Sequence, residues 1–513
     1  MVATKAKIVI VGAGIAGLTA AHRLHAASHN LFDLTVFEAD DHIGGRILTA
    51  DFAGDRIEMG ATWIHGIEGS PVYAIATEHN LLEESSCIWE RMDGFPSDPL
   101  TVAEGGFTVN HDNLARPILS LYRRLMDDAR TGDATSADRD PSVRAYLRRG
   151  LRQYQAACTI SNTALGNDTL RLQALEESLF AMEECTERTC TSADNLSDLN
   201  LSAESEYREF PGDHITIAKG YSRIVEHLAS ALPPGTIRLG KKLSLVEWCS
   251  GDGASPPVRL HFSDDSAVDV DHVIVTVSLG VLKAGIGKED GKGIKFDPAL
   301  PDFKREAIGR LGFGVVDKLF MEVETESREA FPFVRLAFRQ DLEEKASMRH
   351  ASKIPWWIRK TESICPIYRE SHVLLAWFAG KEAMCLESLD DKEIICGVHA
   401  TLDGFLPSNR AGCRIASVKR SRWGTDPLFL GSYSYVSVAS SVDDLDLMAE
   451  PLPRGKGDEV PRLQILFAGE ATHRTHYSTT HGAYYSGIRE ADRLLRFYND
   501  SEQLEISVDA ILC

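Results

Sequence analysis

The chain has 513 residues, of which 43% are hydrophobic and 25% are charged, and its formal net charge is −20. This length exceeds what one hydrophobic core usually supports, and the composition excludes a disordered or fibrous chain, so we expect a folded protein with two large domains. The acidity argues against a nucleic-acid partner, because phosphate neutralisation needs clusters of Lys and Arg. A negative surface suits a cationic ligand, but it also serves solubility alone.

The chain shows no signal for secretion or membrane insertion. Its first apolar run, residues 8 to 11, leads directly into glycines and lacks the basic region and cleavage site of a signal peptide. No stretch approaches the roughly 20 apolar residues that cross a bilayer. The ten cysteines include no C-x-x-C pair and no set with zinc spacing. We therefore expect a cytoplasmic monomer with free thiols and with neither a metal nor a membrane partner.

The N-terminal segment predicts a nucleotide-binding β-α-β unit. A buried strand at residues 7 to 11 precedes Gly12, Gly14 and Gly17, and a helical stretch and a second strand follow, the latter ending at Glu38. Glycines at this spacing allow a tight turn and a close approach of the backbone to a pyrophosphate, while the carboxylate can accept the two ribose hydroxyls of an adenosine. The surrounding strand and helix distinguish this motif from a chance glycine loop.

A second glycine patch, Gly44-Gly45-Arg46, follows shortly afterwards. Gly45 allows another close backbone approach, and Arg46 can contact a pyrophosphate. An ordinary glycine-rich turn with a surface arginine would look similar in isolation. NAD enzymes do not need this second patch, whereas FAD enzymes of the glutathione-reductase-like type often have it, so the spacing favours FAD.

The remainder of the chain predicts two interleaved domains. Long polar helical stretches dominate residues 71 to 211, and strand-like segments return from residue 237 onwards. We expect a mixed α/β protein with a Rossmann-like FAD-binding domain of the glutathione-reductase-like type, built from residues 1–90, 211–290 and 441–513. Residues 91–210 and 291–440 are expected to form a substrate domain, a mixed sheet flanked by helices.

The C-terminal segment predicts the second half of the flavin site. A strand ends at a small turn with Gly469 and Glu470, which is the usual place for contacts to a flavin ribityl chain and pyrophosphate. Thr480 then opens a helix whose N–H groups can face the flavin pyrimidine and stabilise negative charge there. Residues 477 to 482 contain no cysteine, so we expect FAD to be held non-covalently.

Together with Gly60-Ala-Thr-Trp-Ile-His-Gly66 and Val277-Ser-Leu-Gly-Val-Leu-Lys283, these motifs resemble the flavin-containing polyamine oxidases of the monoamine-oxidase-like superfamily. The resemblance covers nearly the whole chain in the family's order. It is greatest to the plant cytosolic enzymes that act on thermospermine and spermine, which are themselves similar to animal spermine oxidases. The resemblance also places Thr62, Trp63 and Trp423 beside the cofactor.

The resemblance implies catalytic roles for two residues. Lys318 matches the lysine that holds a water against flavin N5, and its apolar surroundings argue against the alternative of a surface lysine in a strand. His65 matches a position at the mouth of the substrate tunnel, where an imidazole can accept a hydrogen bond from a substrate amine. A histidine there favours back-conversion, in which an aminopropyl group is removed.

The resemblance also implies four substrate-binding residues. Glu184 matches a carboxylate that pairs with a distal substrate amine, although the adjacent Glu183 leaves the register open. Tyr433 matches an aromatic residue that flanks the substrate over the flavin, where it can contact methylenes and cations. Val316 and Thr479 stand where some relatives have aromatic residues, so the substrate pose in this chain is left open.

The implied reaction starts from an amine nitrogen in its neutral form, because a protonated amine cannot present its lone pair. The adjacent carbon transfers a hydride equivalent to flavin N5, and the imine hydrolyses to an aminoaldehyde and a shorter polyamine. Oxygen, which would yield hydrogen peroxide, or another acceptor then reoxidises the flavin. The sequence leaves open the preferred polyamine, including acetylated forms, and the bond that is cleaved.

Three alternatives remain at this point. Another amine or an L-amino acid could be the substrate, although no arginine stands at the matched positions to bind a carboxylate. A histone demethylase of the superfamily would have an additional helical module and a coiled-coil insertion, and neither is visible. A non-catalytic flavoprotein is the third alternative, and the presence of Lys318 and the Gly12 loop argues against it.

Overall fold

The computed structural model describes residues 5–27, 31–83, 92, 99–134, 140–161, 167–248, 257–287, 293–324, 330–340, 353–406, 413–455 and 463–511. These residues form a mixed α/β fold, as the sequence predicted. All of the predicted site residues lie within the described ranges.

The strands belong to two large sheets, one four-stranded sheet and three short pairs. In chain order they are β1 (Ala6–Val11), β2 (Phe32–Phe37), β3 (Thr49–Phe52), β4 (Asp55–Glu58), β5 (Trp63–Ile64), β6 (Leu100–Ala103), β7 (Phe107–Thr108), β8 (Ile215–Thr216), β9 (Ile237–Arg238), β10 (Leu243–Trp248), β11 (Val258–Phe262), β12 (Ala267–Val270), β13 (His272–Val275), β14 (Lys295–Asp297), β15 (Gly312–Gly314), β16 (Val316–Glu324), β17 (Val334–Ala337), β18 (Ser363–Pro366), β19 (Val373–Ala379), β20 (Arg414–Arg420), β21 (Tyr433–Tyr435) and β22 (Ile465–Phe467).

The helices cover both large sheets. In chain order they are α1 (Ile15–Ala27), α2 (Pro71–Glu78), α3 (Arg116–Thr131), α4 (Val143–Ser161), α5 (Asn167–Thr191), α6 (Leu201–Glu204), α7 (Ser222–Ser230), α8 (Leu279–Ile286), α9 (Asp302–Arg310), α10 (Gly380–Ser388), α11 (Asp391–Phe405), α12 (Asp443–Ala449) and α13 (Thr480–Ile511). A π-helix spans His111–Ala115, and short 3-10 helices span Trp356–Ile358 and Glu470–Thr472.

The first large sheet is parallel and has the strand order β22-β13-β1-β2-β9. Its central strand β1 is buried on both faces, which explains its unbroken apolar run. Ile8 and Ile10 pack into the core formed with α1 and α13, whereas Val9 and Val11 pack into a core formed with β10 and β11. This sheet confirms the predicted Rossmann-like half of the fold, with the glycine motif at the carboxyl end of its central strand.

The second large sheet has the strand order β20-β16-β19-β18-β17-β6-β7. It is mixed, because β16 pairs antiparallel with β19 and β20, whereas β17 pairs parallel with β6. Helix α5 packs against β17 and β19, and α10 and α11 supply apolar side chains to the core beside β16. All seven strands come from the two segments assigned to the substrate domain.

One segment lies on the other side of the proposed domain boundary. Strand β14 pairs parallel with β10, with Val246 opposite Phe296. Leu300, Ile308 and Leu311 then pack into the same core as Val246. We keep the division into two interleaved domains as a proposal, and this packing favours a boundary near residue 311 rather than 290.

Two further sequence expectations concern membranes and thiols. Across the described ranges, the structure contains no helix with both the length and the apolar character needed to span a bilayer. The cysteines that the structure describes have free thiols, as expected, namely Cys158, Cys185, Cys190, Cys365, Cys385, Cys396 and Cys413. The other three, Cys87, Cys249 and Cys513, lie outside the described residues.

Candidate functional site

The first glycine motif forms a turn that only glycine can build. Gly12 has a φ of +108°, and a Cβ atom there would come within 2.5 Å of Thr276 Oγ1. A Cβ atom on Gly17 would come within 2.0 Å of the Gly12 carbonyl oxygen. The loop therefore keeps helix α1 close against β1 and leaves space at the helix N-terminus, where backbone N–H groups suit a pyrophosphate.

The predicted ribose ligand lies at this loop. Glu38 Oε2 accepts a hydrogen bond from Ala13 N at 2.6 Å, and Oε1 accepts one from Asp40 N at 2.9 Å. These two bonds fix the carboxylate at the ends of β1 and β2. A carboxylate held there suits the ribose hydroxyls of a dinucleotide.

The second glycine patch lies directly against the first. Gly44 N donates to the Ala13 carbonyl at 2.9 Å, and Gly14 and Gly44 form an isolated parallel bridge. Gly44 and Gly45 have φ values of +113° and +58°, which glycine adopts without strain. The two motifs, separate in sequence, thus form one continuous backbone surface beside α1.

Arg46 and Glu470 join the N-terminal and C-terminal halves of the predicted flavin site. Arg46 Nη1 donates to Glu470 Oε1 at 2.9 Å and to the Ser432 carbonyl at 2.7 Å. The other carboxylate oxygen of Glu470 accepts from Ser434 Oγ at 2.6 Å and from Ser478 N at 2.8 Å. The arginine is therefore held in place before any cofactor contact, next to the turn that contains Gly469.

The two threonines at the start of α13 have different partners. Thr479 is buried, its hydroxyl donates to the His476 carbonyl at 2.7 Å, and it accepts from Gly482 N at 3.0 Å. It thus caps the helix, and its predicted role as a substrate wall stays a prediction. The Thr480 hydroxyl lies 2.6 Å from the hydroxyl of the fully buried Tyr221, which ties this end of α13 to the parallel-sheet side.

Lys318 is buried at the centre of the site, on strand β16. Its Nζ donates to the Glu58 carbonyl at 2.6 Å, to the Gly60 carbonyl and to Thr62 Oγ1, and lies 4.5 Å from the ring centroid of Trp377. Burial lowers its pKa to about 7, and the nearby Glu58 carboxylate opposes this shift. The ammonium thus joins the two halves of the fold, and a water bound to it would have to share its donors with these oxygen atoms.

Aromatic side chains lie next to Lys318. Trp423 is buried, and its Nε1 donates to the Met59 carbonyl at 3.2 Å. Gly60 lies against it, since a Cβ atom there would be 3.2 Å from the Trp423 ring and 1.9 Å from the Arg46 carbonyl oxygen. Trp63 follows in β5, paired with Thr216. The predicted cofactor residues near Lys318 are therefore close together.

Tyr433 and Val316 flank the same strand end. Tyr433 pairs with Gly314 in the short β15–β21 ladder, and its hydroxyl donates to the Thr189 carbonyl. Val316 is buried, and its backbone N donates to Ser432 Oγ at 2.7 Å. The ring of Tyr433 is thus fixed between α5 and β16, while the contact of either side chain with a substrate stays a prediction.

The predicted distal carboxylate already has a partner. Glu184 accepts a bidentate ion pair from Arg148, with Nε to Oε1 at 2.7 Å and a second bond from Nη2 to Oε2. Its neighbour Glu183 pairs with Arg335 at 2.6 Å. Because both charges are compensated, binding of an amine by Glu184 stays a prediction that this geometry does not favour.

Three other acidic residues form what we call the carboxylate cluster: Glu187, Glu204 and Glu209. Glu187 and Glu204 are buried, whereas Glu209 is exposed. All three interact electrostatically with the guanidinium of Arg130, whose Nη2 lies 3.8 Å from Oε2 of Glu187. Burial and the neighbouring Glu187 raise the pKa of Glu204 to about 8. Three carboxylates around one guanidinium leave this pocket short of positive charge.

The carboxylate cluster adjoins the predicted reaction centre. Cys190 is close enough to interact electrostatically with both Glu187 and Tyr433. Glu204 likewise interacts with Tyr477, which precedes α13 and is buried. The carboxylate cluster therefore lies near two tyrosines of the predicted reaction centre, Tyr433 and Tyr477.

His65 belongs to a group that we call the histidine cluster: His65, His214, His473, His476 and His481. His65 is exposed, and its Nδ1 lies 3.2 Å from Nδ1 of His214. The surrounding protein and His214 lower the pKa of His65, while Glu209 opposes the shift. A neutral imidazole next to Glu209 can accept a hydrogen bond from an amine, and the role of His65 at the mouth of the substrate tunnel stays a prediction.

A match to a known family identifies the chain. Residues 15–495 match the family described as flavin containing amine oxidoreductase. The chain belongs to this family. FAD is its cofactor, and the residues present fit that group, because two adjacent glycine surfaces without Cβ atoms lie beside the carboxylate of Glu38 and the oriented guanidinium of Arg46.

Relatives of this amine oxidoreductase extend over its full length. It is 55% identical to polyamine oxidase 1 of Oryza sativa subsp. japonica, covering 97% of this chain and 98% of the relative. It is 36% identical to a human peroxisomal N(1)-acetyl-spermine/spermidine oxidase, covering 96% and 95% of the two chains. A solved structure of putrescine oxidase bound to putrescine aligns with a TM-score of 0.62 at 16% identity, over 96% of this chain and 99% of that one, which supports the fold.

Sequence reasoning missed two groups in this amine oxidoreductase. The acidic residues at 204–209 could have indicated the carboxylate cluster in the sequence. Glu187 and Glu184, however, can be distinguished only by the face of helix α5 on which each lies. The histidine cluster had a signal in the spacing of His473, His476 and His481 before and inside α13. Their meeting with His65 is a long-range contact that the sequence alone does not reveal.

Proposed function

We propose that this enzyme oxidises polyamines, and the observation that supports this most directly is the carboxylate cluster. Glu187, Glu204 and Glu209 share Arg130 as a counter-ion, so they can accept additional positive charge. A polyamine has ammonium groups separated by methylenes, which would place positive charge there while an inner C–N bond lies beside Tyr433 and Lys318. The names of the relatives point to the same substrate class.

The cluster would select a cation through a change in protonation. With a pKa of about 8, Glu204 is largely protonated at neutral pH in the absence of substrate. A substrate ammonium next to it favours the ionised carboxylate, so binding expels a proton and forms a buried, charge-assisted hydrogen bond. A neutral alkyl chain would neither ionise Glu204 nor form this charge-assisted hydrogen bond.

The reacting nitrogen must be neutral, and the residues around it favour that form. Tyr433 and the nearby tryptophans surround the methylenes of the substrate. Lys318, with a pKa of about 7, is partly cationic at neutral pH and therefore disfavours a second cation beside it. His65 accepts a hydrogen bond from the amine at the cleft mouth. FAD, held non-covalently by the Gly12 loop, Glu38 and Arg46, supplies the hydride acceptor.

The proposal includes finer points. We propose that thermospermine, spermine or an acetylated form is the substrate, that His65 favours back-conversion, and that an aminoaldehyde and a shorter polyamine are the products. Lys318 would bind the water near flavin N5. We further propose reoxidation by oxygen with release of hydrogen peroxide, and a cytoplasmic monomer.

A panel of amines tests the proposed function. The purified yellow enzyme, mixed anaerobically with spermine, thermospermine, N1-acetylspermine, a monoamine of matched length and an L-amino acid, should lose its flavin absorbance with the polyamines alone. Chromatography of the products then identifies the cleaved bond, and a peroxide assay identifies the acceptor. Bleaching by the monoamine or the amino acid, with no response to any polyamine, would contradict the proposal.

A further inference from the structure

Two buried carboxyl groups face each other behind Lys318. Asp317 precedes it in β16 and is fully buried, while Glu387, in the last turn of α10, is 5% exposed. Both carboxyl groups bind the loop from Ser421 to Thr425, and they are close enough for Glu387 to raise the pKa of Asp317. Two ionised carboxylates in such a place would repel each other strongly, so the pair needs a proton.

The hydrogen bonds of Asp317 show which of its oxygen atoms is free to hold that proton. Its Oδ1 accepts from Ser421 Oγ at 2.8 Å and from Trp423 N at 3.1 Å. Across the part of the chain that the structure describes, no donor is directed at its Oδ2, although that atom is buried.

The hydrogen bonds of Glu387 favour a proton on Asp317 over a proton on Glu387. Its Oε1 accepts from Gly424 N at 2.7 Å, and its Oε2 accepts from Thr425 N at 2.9 Å. A backbone N–H is always a donor, so both oxygen atoms of Glu387 act as acceptors. The shared proton is therefore best accommodated on Oδ2 of Asp317, which has no other partner among the described residues.

We propose that Asp317 is a neutral carboxylic acid that donates its proton to Glu387, and that this pair positions Lys318 and Trp423 beside FAD. The positioning role rests on the proposed function, whereas the protonation state does not. Burial and the hydrogen bond to Glu387 also raise the pKa of Asp317 well above its usual range.

The pair acts on the site through the loop from Ser421 to Thr425. Ser421 Oγ donates to Asp317 and accepts from Lys318 N at 2.9 Å, so it fixes the strand position of the lysine. The backbone N–H of Trp423 donates to Asp317, and its indole Nε1 donates to the Met59 carbonyl. These two bonds fix the position of the Trp423 ring. Around the pair, Lys318 follows Asp317 in the strand and Asp426 faces Glu387. Asp317 and Glu387 are therefore positioning residues, since both are buried and act on the site through this loop.

Three variants of the FAD-loaded enzyme test this assignment. Asp317→Asn keeps the acceptor for Ser421 and Trp423 and places an NH2 donor where the acid proton lies, so its FAD affinity and kcat should stay within about twofold of wild type. Asp317→Ala removes every hydrogen bond of the Asp317 side chain. Glu387→Gln places its amide NH2 group opposite the backbone N–H of Gly424 or Thr425, so that two donors meet. Both should weaken FAD binding roughly tenfold or more and lower kcat.

Infrared spectroscopy without substrate provides a second readout. The wild type should show a protonated carboxylic acid band that shifts in D2O and is missing from Asp317→Asn. The absence of such a difference would overturn the assigned proton, and an Asp317→Asn enzyme as impaired as Asp317→Ala, or one that fails to fold, would overturn it as well. Because the band is recorded without an amine, failure of polyamine oxidation would leave this result unchanged.

Discussion

At the scale of single residues, the geometry of Lys318 predicts a specific defect. Lys318→Met removes the donor from the Glu58 and Gly60 carbonyls and from Thr62, and each buried acceptor left without a donor costs about 1–3 kcal/mol. We expect a lower melting temperature and a loss of roughly tenfold or more in flavin turnover, measured by stopped-flow absorbance.

The control for this prediction is Lys392→Met. Lys392 is an exposed lysine on α11, and its replacement should change neither measurement. Equal turnover in Lys318→Met and in the control would refute a catalytic role for Lys318.

Glu204 predicts that substrate binding releases a proton. Because its pKa is raised to about 8 by burial and by Glu187, it is protonated near pH 7 and ionises when an ammonium binds. Calorimetry of spermine binding to the anaerobic enzyme, in buffers of different ionisation enthalpy, should show net proton release. The release should fall by about one proton in Glu204→Gln relative to wild type. Unchanged proton release in the variant would assign the proton to another group.

At the scale of elements, a single lysine connects two helices. Lys304 on α9 is fully buried, and its Nζ donates to the carbonyls of Leu447, Met448 and Glu450 at the end of α12, at 3.0, 2.7 and 2.6 Å. Lys304→Met should lower the free energy of unfolding by about 3 kcal/mol, because three helix-end carbonyls lose their donor. Urea denaturation measures the free energy of unfolding, and Lys242→Met, at an exposed lysine, is the control. Equal denaturation midpoints for Lys304→Met and the control would contradict the prediction.

The start of α13 predicts acid sensitivity. Burial and His476 lower the pKa of His481 from 6.5 to about 3. Between pH 6.5 and pH 3, His481 is therefore protonated in the unfolded chain but neutral in the folded protein. Stability is therefore fully present above pH 6.5 and is lost as the pH falls towards 3. Melting temperatures should fall less steeply between pH 7 and 5 in His481→Gln than in wild type. The exposed His372→Gln should behave as wild type, and a wild-type slope in both variants would disprove the argument.

At the scale of the whole molecule, features set by local chain chemistry were predictable. The glycine motifs, Glu38 and the opening of α13 each lie within a short segment, and their turns follow from residue type. The change between helical and strand-like segments predicts two interleaved domains, and that division stays a prediction. These features define the cofactor side of the site.

Features set by contacts between distant segments were not predictable. Glu184 and Glu187 differ by three positions on α5, and the partner that separates them, Arg148, lies on another helix. The pairing of β14 with β10 moves the favoured domain boundary, and no local pattern marks it. The contact between Asp317 and Glu387 depends likewise on the packing of α10 against β16.

The most direct test of the account is anaerobic flavin reduction by spermine in wild type and in the double variant Glu187→Gln and Glu204→Gln. Each lost charge-assisted hydrogen bond is worth about 1.5–3 kcal/mol, so the loss of two should raise the apparent dissociation constant by at least about 100-fold while the limiting reduction rate changes little. A matched monoamine, added as a competitive inhibitor of the reduction by spermine, should show the same inhibition constant in both proteins. An unchanged constant for spermine would contradict the claim that this pocket recognises a polycation.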